Sequence, residues 1–375
     1  MKLTIISHTE HYKLPDGTIV GWGPTLTEIN YLAEIFDEIY HIAMLHDCEA
    51  PKSSLPYTSD RITFVPLKPS GGNGVLEKLK VLFSAPSVIR TVNKTLAKSD
   101  CFQLRAPTGI GVFLIPYLTL FSKKKGWFKY AGNWKQDPAP LGYAAQRYML
   151  KKQKRVVTIN GSWDDQQVHC LSFENPCLID TDIIEGVNVV SKKEKIELIN
   201  FCYVGRLEKQ KGVERIINAF NQLPEYLLAK VGKIHLVGNG SDVDYFKKLS
   251  LKKNIDFVFH GFLSTKDVFN IYKASHFFLM PTTASEGFPK VIAEAMNFGC
   301  LPMVSSISSI SQYVKDGHNG FLLDPVTEEN VISVIQKGIN LTNEDYKTMM
   351  SNNAELVKKF TYHYYVNRIK KIITN

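Results

Sequence analysis

Short apolar runs alternate with amphipathic segments along this chain, a pattern typical of α/β proteins. Amphipathic segments such as 25–39 predict helices. In the first half, buried strands are predicted at 2–7, 39–45, 61–65, 101–104 and 155–159. Each such strand needs helices above and below it, so few other fold classes are open to the chain.

The same pattern starts again after a charged stretch at 189–198, which we interpret as a linker. Strands of a second sheet are predicted by the apolar runs within 199–207, 233–240, 255–263, 276–283 and 301–306. A chain of 375 residues is too long for one core and suits two domains. The sequence therefore predicts domains at 1–190 and 191–355 and an amphipathic C-terminal helix at 356–375.

The composition is that of a globular protein, with 44% hydrophobic and 22% charged residues. The longest apolar run, 110–121, contains Pro116 and is shorter than the roughly 18 residues of a membrane-spanning helix. The six cysteines are scattered without a C-x-x-C pair, which indicates a reducing compartment. We therefore expect a cytoplasmic protein.

Charge is distributed unevenly along the chain. The net charge is +9 overall, −6 over residues 1–50 and +9 over residues 121–155. The basic segment carries Trp127, Phe128 and Tyr130 beside three consecutive lysines at 123–125. Such a segment fits a nucleic acid, an anionic membrane surface or a solvated loop, and composition alone leaves all three open.

Two glutamates, Glu286 and Glu294, lie eight positions apart in the stretch ASEGFPKVIAEAMNFGC. A helix is predicted from Pro289, and its apolar stripe leaves Lys290, Glu294 and Asn297 on the opposite side. Spacing alone fits a solvated ion pair between Lys290 and Glu294. A functional role for both carboxylates requires partners elsewhere in the chain.

Three loops that follow predicted strands could supply those partners. The first, RLEKQKG, places Arg206 and Lys211 beside a helix N-terminus, which suits a diphosphate. The second, LVGNGS, resembles a dinucleotide fingerprint, but Val243 stands where the third glycine would fall, so we reject an NAD site. In the third, PTTASEGFP, the N–H groups from Glu286 to Phe288 can converge on an anion.

Taken in order, GRLEKQKG, LVGNG, HGFLS and ASEGFPKVIAEAMNFGCLPMVSS resemble the retaining glycosyltransferases of family four. The resemblance covers about residues 199–325, and the first half matches in architecture only. It implies the GT-B fold, in which two Rossmann-like domains face each other across a cleft. It also implies a nucleoside-diphosphate sugar as donor, bound mainly by the second half, and an acceptor bound by the first half.

Site residues follow from the same resemblance. Arg206 and Lys211 would bind the diphosphate, and Glu286 with the N–H groups of Gly287 and Phe288 would hold the donor sugar. Glu294 would bind the ribose hydroxyls. The full implied donor set is Arg206, Lys211, Asn239, Gly240, Phe262, Leu263, Glu286, Gly287, Phe288, Pro289 and Glu294. Of these, Glu286, Arg206 and Lys211 would be catalytic.

In the first half, the resemblance implies a flexible glycine loop against the donor phosphates at Gly21 and Gly23. Many relatives place a histidine after the fourth strand, where this chain has Arg105 instead. His8, after the first strand, and Asn133 are further acceptor-side candidates. This departure from the family pattern leaves the catalytic helper of the first domain open.

We expect a metal-independent transferase without a cofactor, because Arg206 and Lys211 can meet the negative charge that develops on the leaving diphosphate. The acidic pairs in DTD (180–182) and DVD (242–244) are not expected to bind a metal. The acceptor would be a lipid-linked or growing surface glycan, with residues 110–135 resting on an anionic inner-leaflet surface. The rivals are a nucleotide-sugar epimerase and a non-catalytic nucleic-acid-binding module; we expect no nucleic acid as partner.

Overall fold

The structure is a computed structural model that describes residues 1–72, 74, 80–195, 198–253 and 255–374. It divides into two compact units, Pro176–Thr361 and Met1–Asn175 together with the C-terminal segment from Tyr362. The division thus falls at 175 rather than at the predicted 190. The predicted linker 189–198 includes residues 196 and 197, which lie outside the described residues, and its first residues belong to a helix.

The first unit is built on a sheet of nine strands. Their bounds are β1 Lys2–Lys13, β2 Ile19–Trp22, β3 Glu38–His46, β4 Ser54–Pro56, β5 Ile62–Leu67, β6 Cys101–Ala106, β7 Lys125–Tyr130, β8 Val157–Ile159 and β9 Cys170–Ser172. Seven of them pair in parallel in the order β5-β3-β1-β6-β7-β8-β9. β2 joins β1 antiparallel, and β4 joins β2 antiparallel.

The helices of the first unit cover this sheet. They are α1 Gly23–Leu32, α2 Ala85–Leu96, α3 Gly111–Phe121, α4 Leu141–Lys152 and, from the C-terminal segment, the last helix, Tyr362–Thr374. The predicted C-terminal helix 356–375 is therefore interrupted, because a short helix ends at Lys358 before the last one begins.

The second unit has six parallel strands in the order β12-β11-β10-β13-β14-β15. Their bounds are β10 Ile199–Val204, β11 Val231–Val237, β12 Phe257–Gly261, β13 Phe277–Met280, β14 Leu301–Ser305 and β15 Phe321–Leu323. Its helices are α5 Asp180–Lys192, α6 Val213–Gln222, α7 Glu225–Leu228, α8 Val243–Ser250, α9 Thr265–Ala274, α10 Lys290–Asn297, α11 Ile310–Tyr313, α12 Glu328–Asn340, α13 Asn343–Ser351 and α14 Ala354–Lys358. The C-terminal helix Tyr362–Thr374, which belongs to the first unit, is α15. A 3₁₀ turn at Lys209–Lys211 precedes α6.

When the parallel strands of each sheet are counted along the chain, the second sheet has the Rossmann order 3-2-1-4-5-6, and the first has the same order with a seventh strand added at the end. This confirms the predicted pair of Rossmann-like α/β domains. In such sheets the strand order reverses between two central strands, so the loops after these two strands lead to opposite faces of the sheet. Ligands bind in the crevice beyond the carboxyl ends of these two strands. Those strands are β1 and β6 in the first unit and β10 and β13 in the second. A ligand-binding site is therefore expected in the loops that follow these strands.

Four aromatic residues that were predicted to face a membrane lie in the core instead. Trp127, Phe128, Tyr130 and Trp134 are each 2% exposed or less. β7 is an interior strand between β6 and β8, so its side chains are buried on both faces of the sheet. These aromatics cannot face a membrane. None of the described helices combines the length and apolar character that a bilayer crossing requires.

Candidate donor-binding site

The loop after β10 carries the first two predicted cations. The Arg206 side chain is 65% exposed, and its Nη1 lies 2.9 Å from a carboxylate oxygen of Glu208. The buried Tyr203 donates its hydroxyl proton to the Arg206 carbonyl at 2.7 Å. The hydrogen bond from Tyr203 thus holds the backbone of Arg206 in place, while the Arg206 guanidinium extends into solvent.

This loop is packed directly on the loop after β13. Gly212 has φ +91°, and a Cβ at that position would overlap the carbonyl of Pro281, so only glycine fits. The Thr283 N–H donates to the Gln210 carbonyl at 3.0 Å. These contacts bring the ends of two neighbouring strands together at one edge of the sheet.

Lys211 and Glu286 form an ion pair across this junction, with side chains 13% and 29% exposed. Burial lowers the pKa of Lys211, and the nearby charge of Arg206 acts in the same direction. The structure therefore brings together three of the predicted residues, Arg206, Lys211 and Glu286, within two adjoining loops.

The glycine loop after β11 lies against the loop after β10. The Leu207 N–H donates to the Asn239 carbonyl at 3.0 Å, and a Cβ at Gly240 would overlap the Leu207 carbonyl. Asn239 is exposed, as is Phe262 just beyond β12 at 46%, whereas Leu263 is half-buried. Predicted donor residues from three strand ends thus share this edge of the second sheet.

The loop after β13 can offer a ligand the main-chain N–H groups of Gly287 and Phe288, but not the Phe288 side chain. Gly287 and Phe288 are buried, and the Phe288 ring packs 4.7 Å from Tyr313 and 4.8 Å from Phe360, measured between ring centroids. The Phe288 side chain therefore belongs to the core. Pro289 follows it and is the N-cap of α10, one position before the helix rather than at its first residue.

Glu294 lies on α10, on the helix face that carries Lys290 and Asn297 and that the sequence pattern predicts to be solvated. α5 covers that face instead: Asn297 is buried and donates an amide proton to the Asp182 carbonyl at 2.8 Å. The Tyr272 hydroxyl donates to Glu294 at 3.4 Å. Burial raises the pKa of Glu294 to about 7. A solvated ion pair with Lys290 does not describe this environment.

Each of the two acidic pairs of the sequence binds a main-chain N–H group. An Asp182 oxygen accepts from the Ile179 N–H at 2.9 Å, at the start of α5. An Asp242 oxygen accepts from the Lys209 N–H at 3.0 Å, just before α8. Within the described part of the chain, no group of three or more histidine, cysteine or carboxylate side chains is arranged to hold a metal.

In the first unit, a pocket of about 360 Å³ is lined by residues 7–10 of β1, by the end of β6 and by the loop after it. His8, which lines this pocket, lies within β1 and not after the first strand as predicted, at an irregularity in the pairing of β1 with β3. Its Nε2 lies 2.5 Å from the Ser70 carbonyl oxygen. Burial lowers the pKa of His8, so the ring is neutral at pH 7. Trp22, which is 51% exposed, and Thr108 also line the pocket. Sequence reasoning missed both, although Thr108 follows a predicted strand.

Arg105 lines the same pocket, but its guanidinium is engaged in a buried ion network. Its Nη1 lies 2.8 Å from Glu28, whose other oxygen accepts from Lys129 at 2.5 Å. The Tyr365 hydroxyl of α15 also donates to Glu28, at 2.8 Å. Glu28 is 2% exposed, so Arg105 compensates a buried charge. These contacts give Arg105 a structural role.

The other candidates of the first unit are placed in regular structure or turns. Gly21 lies within β2, where a Cβ would sit 2.6 Å from the His11 ring, and Gly23 is the first residue of α1. Neither lies in a flexible loop, contrary to expectation. The Asn133 side chain accepts from the Lys135 N–H at 2.9 Å and forms a turn.

Part of this chain is similar in sequence to known glycosyltransferases. Residues 188–357 match the family model of glycosyl transferases group 1. An uncharacterized glycosyltransferase of Methanocaldococcus jannaschii is 32% identical over 197 residues, which cover 50% of each chain. The lipopolysaccharide 1,2-N-acetylglucosaminetransferase of Salmonella typhimurium is 30% identical over 145 residues, 36% of this chain and 38% of that protein. The chain thus spans about half the length, or less, of these curated relatives.

Solved structures resemble the whole chain in fold. Anabaena HepE, crystallised with UDP and glucose, aligns with a TM-score of 0.70 at 16% identity and covers 100% of both chains. The sucrose-phosphate synthase of Thermosynechococcus elongatus aligns with a TM-score of 0.72 at 15% identity, over 100% of this chain and 98% of that one. This chain therefore has the GT-B fold, and its second unit carries a glycosyl transferases group 1 domain.

Proposed function

We propose that this protein is a retaining glycosyltransferase that moves a sugar from a nucleoside-diphosphate sugar to a hydroxyl acceptor. The observation that carries the proposal is the junction of Lys211 with Glu286, where two strand-end loops meet beside Arg206. Two cations and a carboxylate at the carboxyl edge of a Rossmann-like sheet match the charges of a sugar diphosphate and its glycosyl cation. The family of the second unit supports the same reading.

The donor would lie along the loops of the second unit. Arg206 and Lys211 would bind the diphosphate, and an entering phosphate would compete with Glu286 for the Lys211 ammonium. Glu286 would then be released to the sugar hydroxyls beside the N–H groups of Gly287 and Phe288. Phe288 can serve only through its main chain, because its ring is buried.

The other end of the donor would reach α10 and the end of β12. Glu294 would accept hydrogen bonds from the ribose hydroxyls, and the exposed Phe262 ring with the Leu263 main chain would pack on the base. Asn239 and Gly240 would line the diphosphate from the side of β11. All of these residues belong to the second unit.

The chemistry we propose needs no metal. As the glycosidic bond to the diphosphate breaks, negative charge grows on the leaving phosphate and positive charge on the sugar ring. The guanidinium of Arg206 and the ammonium of Lys211 would stabilise the first, and the carboxylate of Glu286 would stabilise the second. Because the cations are part of the chain, we expect activity to survive a chelator.

The acceptor would use the pocket of the first unit. The neutral His8 ring, the Thr108 hydroxyl and the exposed Trp22 ring are groups that suit a carbohydrate. Three relatives are named as lipopolysaccharide N-acetylglucosaminyl- or galactosyltransferases, which supports a lipid-linked or growing surface glycan as acceptor. The enzyme would then work in the cytoplasm at the inner face of the membrane, in polysaccharide biosynthesis.

A ligand screen followed by product analysis tests the proposal. Thermal unfolding would be measured with UDP, GDP, ADP and CMP sugars; a donor at 100 times its Kd adds about 2.7 kcal/mol of stability. NMR of the product should show the anomeric configuration of the donor, and EDTA should leave the rate unchanged. No stabilisation by any sugar nucleotide contradicts the proposal. Consumption of the donor without an acceptor points to an epimerase, and inversion or EDTA sensitivity contradicts the mechanism.

A further inference from the structure

Two consecutive large apolar residues are exposed where α3 ends. Leu120 is 74% exposed and Phe121 is 71% exposed. A single exposed leucine is ordinary on a protein surface, but an adjacent exposed pair at the end of an apolar helix is less so. The pair lies outside both candidate sites, because α3 ends at the edge of the sheet where the parallel strands begin.

The carboxyl end of α2 lies beside this pair. Asn93 of α2 donates to the Tyr117 hydroxyl at 2.7 Å, and the Tyr117 ring lies 5.5 Å from the Phe121 ring. Lys124 donates to the Ser99 carbonyl at 2.7 Å, which ties the segment after α3 to the segment after α2. The two helix ends therefore form one continuous surface.

Four exposed lysines belong to the segments that adjoin the pair: Lys94 and Lys98 at the end of α2, and Lys123 and Lys125 after α3. Between residues 80 and 136 the sequence has ten lysines or arginines and a single acid, Asp100. Asp100 accepts from the Lys2 N–H at 2.7 Å, so its carboxylate is directed at the main chain. We name Leu120, Phe121, Lys94, Lys98, Lys123 and Lys125 the lysine-rimmed patch.

We propose that the lysine-rimmed patch docks the protein on an anionic lipid bilayer. Leu120 and Phe121 would enter the headgroup region, and the four lysines would contact the acidic headgroups around them. An apolar centre within a cationic rim is complementary to this surface in both hydrophobicity and charge. Leu120 and Phe121 are accessible to lipid, whereas Trp127 and Tyr130, which the sequence pattern had suggested for this role, are buried.

The first test is co-sedimentation of the full-length protein with vesicles. Binding should require phosphatidylglycerol in a phosphatidylcholine vesicle and should fall steeply as salt rises. Changing Lys94, Lys98, Lys123 and Lys125 to Gln should weaken binding at least tenfold. The same charge change on the second unit, at Lys247, Lys248, Lys252 and Lys266, should leave binding as in the parent protein. Equal losses in the two variants mean that net charge alone acts, and overturn the patch.

A second test asks whether the apolar pair enters the lipid. Leu120→Ser with Phe121→Ser should weaken vesicle binding while leaving the circular dichroism spectrum and the midpoint of thermal unfolding as in the parent, which checks that the protein is folded. In Phe121→Trp, the added fluorescence should be quenched by brominated lipid in the vesicles. Retained binding in the double variant, or no quenching, overturns insertion. Stronger binding to an oligonucleotide than to anionic vesicles overturns the lipid assignment. None of these outcomes depends on the proposed sugar transfer.

Discussion

Lys211 and Glu286 form an ion pair that joins the loop after β10 to the loop after β13. Both side chains are largely shielded from water, so the pair is screened less than one on an open surface. The backbone contact between Thr283 and Gln210 holds the same two loops together at 3.0 Å. These contacts place the Lys211 ammonium at the edge of the sheet before a donor binds, so that a diphosphate replacing Glu286 would meet a positioned cation.

Removing either cation should slow the reaction strongly. We expect Lys211→Ala and Arg206→Ala each to lower kcat by about 10²-fold or more, because charge on the leaving diphosphate would lose a fixed partner. Turnover with the donor found by the ligand screen is the measurement, and circular dichroism checks that each variant is folded.

Lys209→Ala is the matched control for this prediction. Lys209 lies in the same 3₁₀ turn, is exposed, and has its ammonium 4.5 Å from the centroid of the Tyr245 ring. Its removal should leave kcat close to that of the parent protein. If all three alanine variants lost activity equally, the loop would act through its overall charge, and the assigned roles would be wrong.

Donor affinity should depend on the ionisation of Glu294. Burial raises its pKa to about 7, so the carboxyl is mostly protonated below that pH and ionised above it. An ionised carboxylate accepts hydrogen bonds from both ribose hydroxyls, so we expect affinity to rise as the pH increases through about 7. The diphosphate of a sugar nucleotide has no proton to lose in this range. Isothermal calorimetry from pH 5.5 to 8.5 measures the effect.

Two variants separate this effect from other titrations. Glu294→Gln should weaken binding by roughly 10- to 100-fold at pH 8, as expected for the loss of hydrogen bonds to a charged group, and should flatten the pH profile. Lys290→Ala, one turn away on α10, should change affinity little. A pH profile that persists in Glu294→Gln assigns the titration to another group.

Ten of the thirteen described parallel strands could be predicted from sequence, because each is a short, nearly continuous apolar run, but β7, β9 and β15 were missed. Residues 277–280 and 301–305, for example, form strands within the predicted segments. The two antiparallel strands, β2 and β4, were also missed. They have four and three residues, too few for an alternating pattern. The donor loops were found because each follows a strand and combines glycine with charged residues.

Long-range partners are what the sequence could not supply. Lys129 reads as a surface lysine among aromatics, yet its ammonium binds Glu28, a residue 101 positions earlier. Arg105 reads as a free cation after a strand, yet the same carboxylate holds it. Glu294 reads as solvated because α5, which covers it, lies more than 100 residues before it in the chain. Each of these errors comes from a tertiary contact that no local pattern contains.

The Glu28 network predicts a large effect on the stability of the first unit. Glu28→Ala leaves Arg105 and Lys129 as buried cations without their shared carboxylate, with side chains 14% and 5% exposed. We expect the free energy of unfolding of this unit to fall by about 3–5 kcal/mol. Denaturant unfolding followed by hydrogen exchange of peptides from β6 and β7 measures it.

Glu38→Ala provides the comparison for that stability prediction. Glu38 pairs with Lys2 at 2.7 Å, but both side chains are more than 40% exposed, so its loss should destabilise the unit far less than the loss of Glu28. Donor affinity should be unchanged in both variants, because the donor residues belong to the second unit. A mild effect of Glu28→Ala would mean that Arg105 and Lys129 find other partners or water.

A chain of buried hydrogen bonds runs through His11 and His41 in the first unit. His11 Nδ1 donates to the Thr9 carbonyl at 3.0 Å, so its Nε2 must accept from the Tyr57 hydroxyl at 2.8 Å. The Tyr57 oxygen then accepts from His41 Nδ1 at 2.7 Å, and His41 Nε2 accepts from the Ser7 hydroxyl at 2.8 Å. The directions are fixed throughout, and both rings must be neutral.

This network predicts that the first unit is sensitive to acid. Burial lowers the pKa of His11 to about 4 and that of His41 well below its usual value, while both titrate near 6.5 in the unfolded chain. The unfolded state therefore binds more protons below pH 6.5, so stability is full above that pH and falls as the pH drops towards 4. Hydrogen exchange of β1 peptides at pH 7.5 and 5 should show this loss.

Tyr57→Phe should destabilise the unit at both pH values by about 1–3 kcal/mol per unpaired ring nitrogen, whereas Tyr40→Phe, at a half-buried carboxylate contact, should cost less. If β1 kept its protection at pH 5, or if the two phenylalanine variants behaved alike, the directed network would not be what stabilises this part of the sheet.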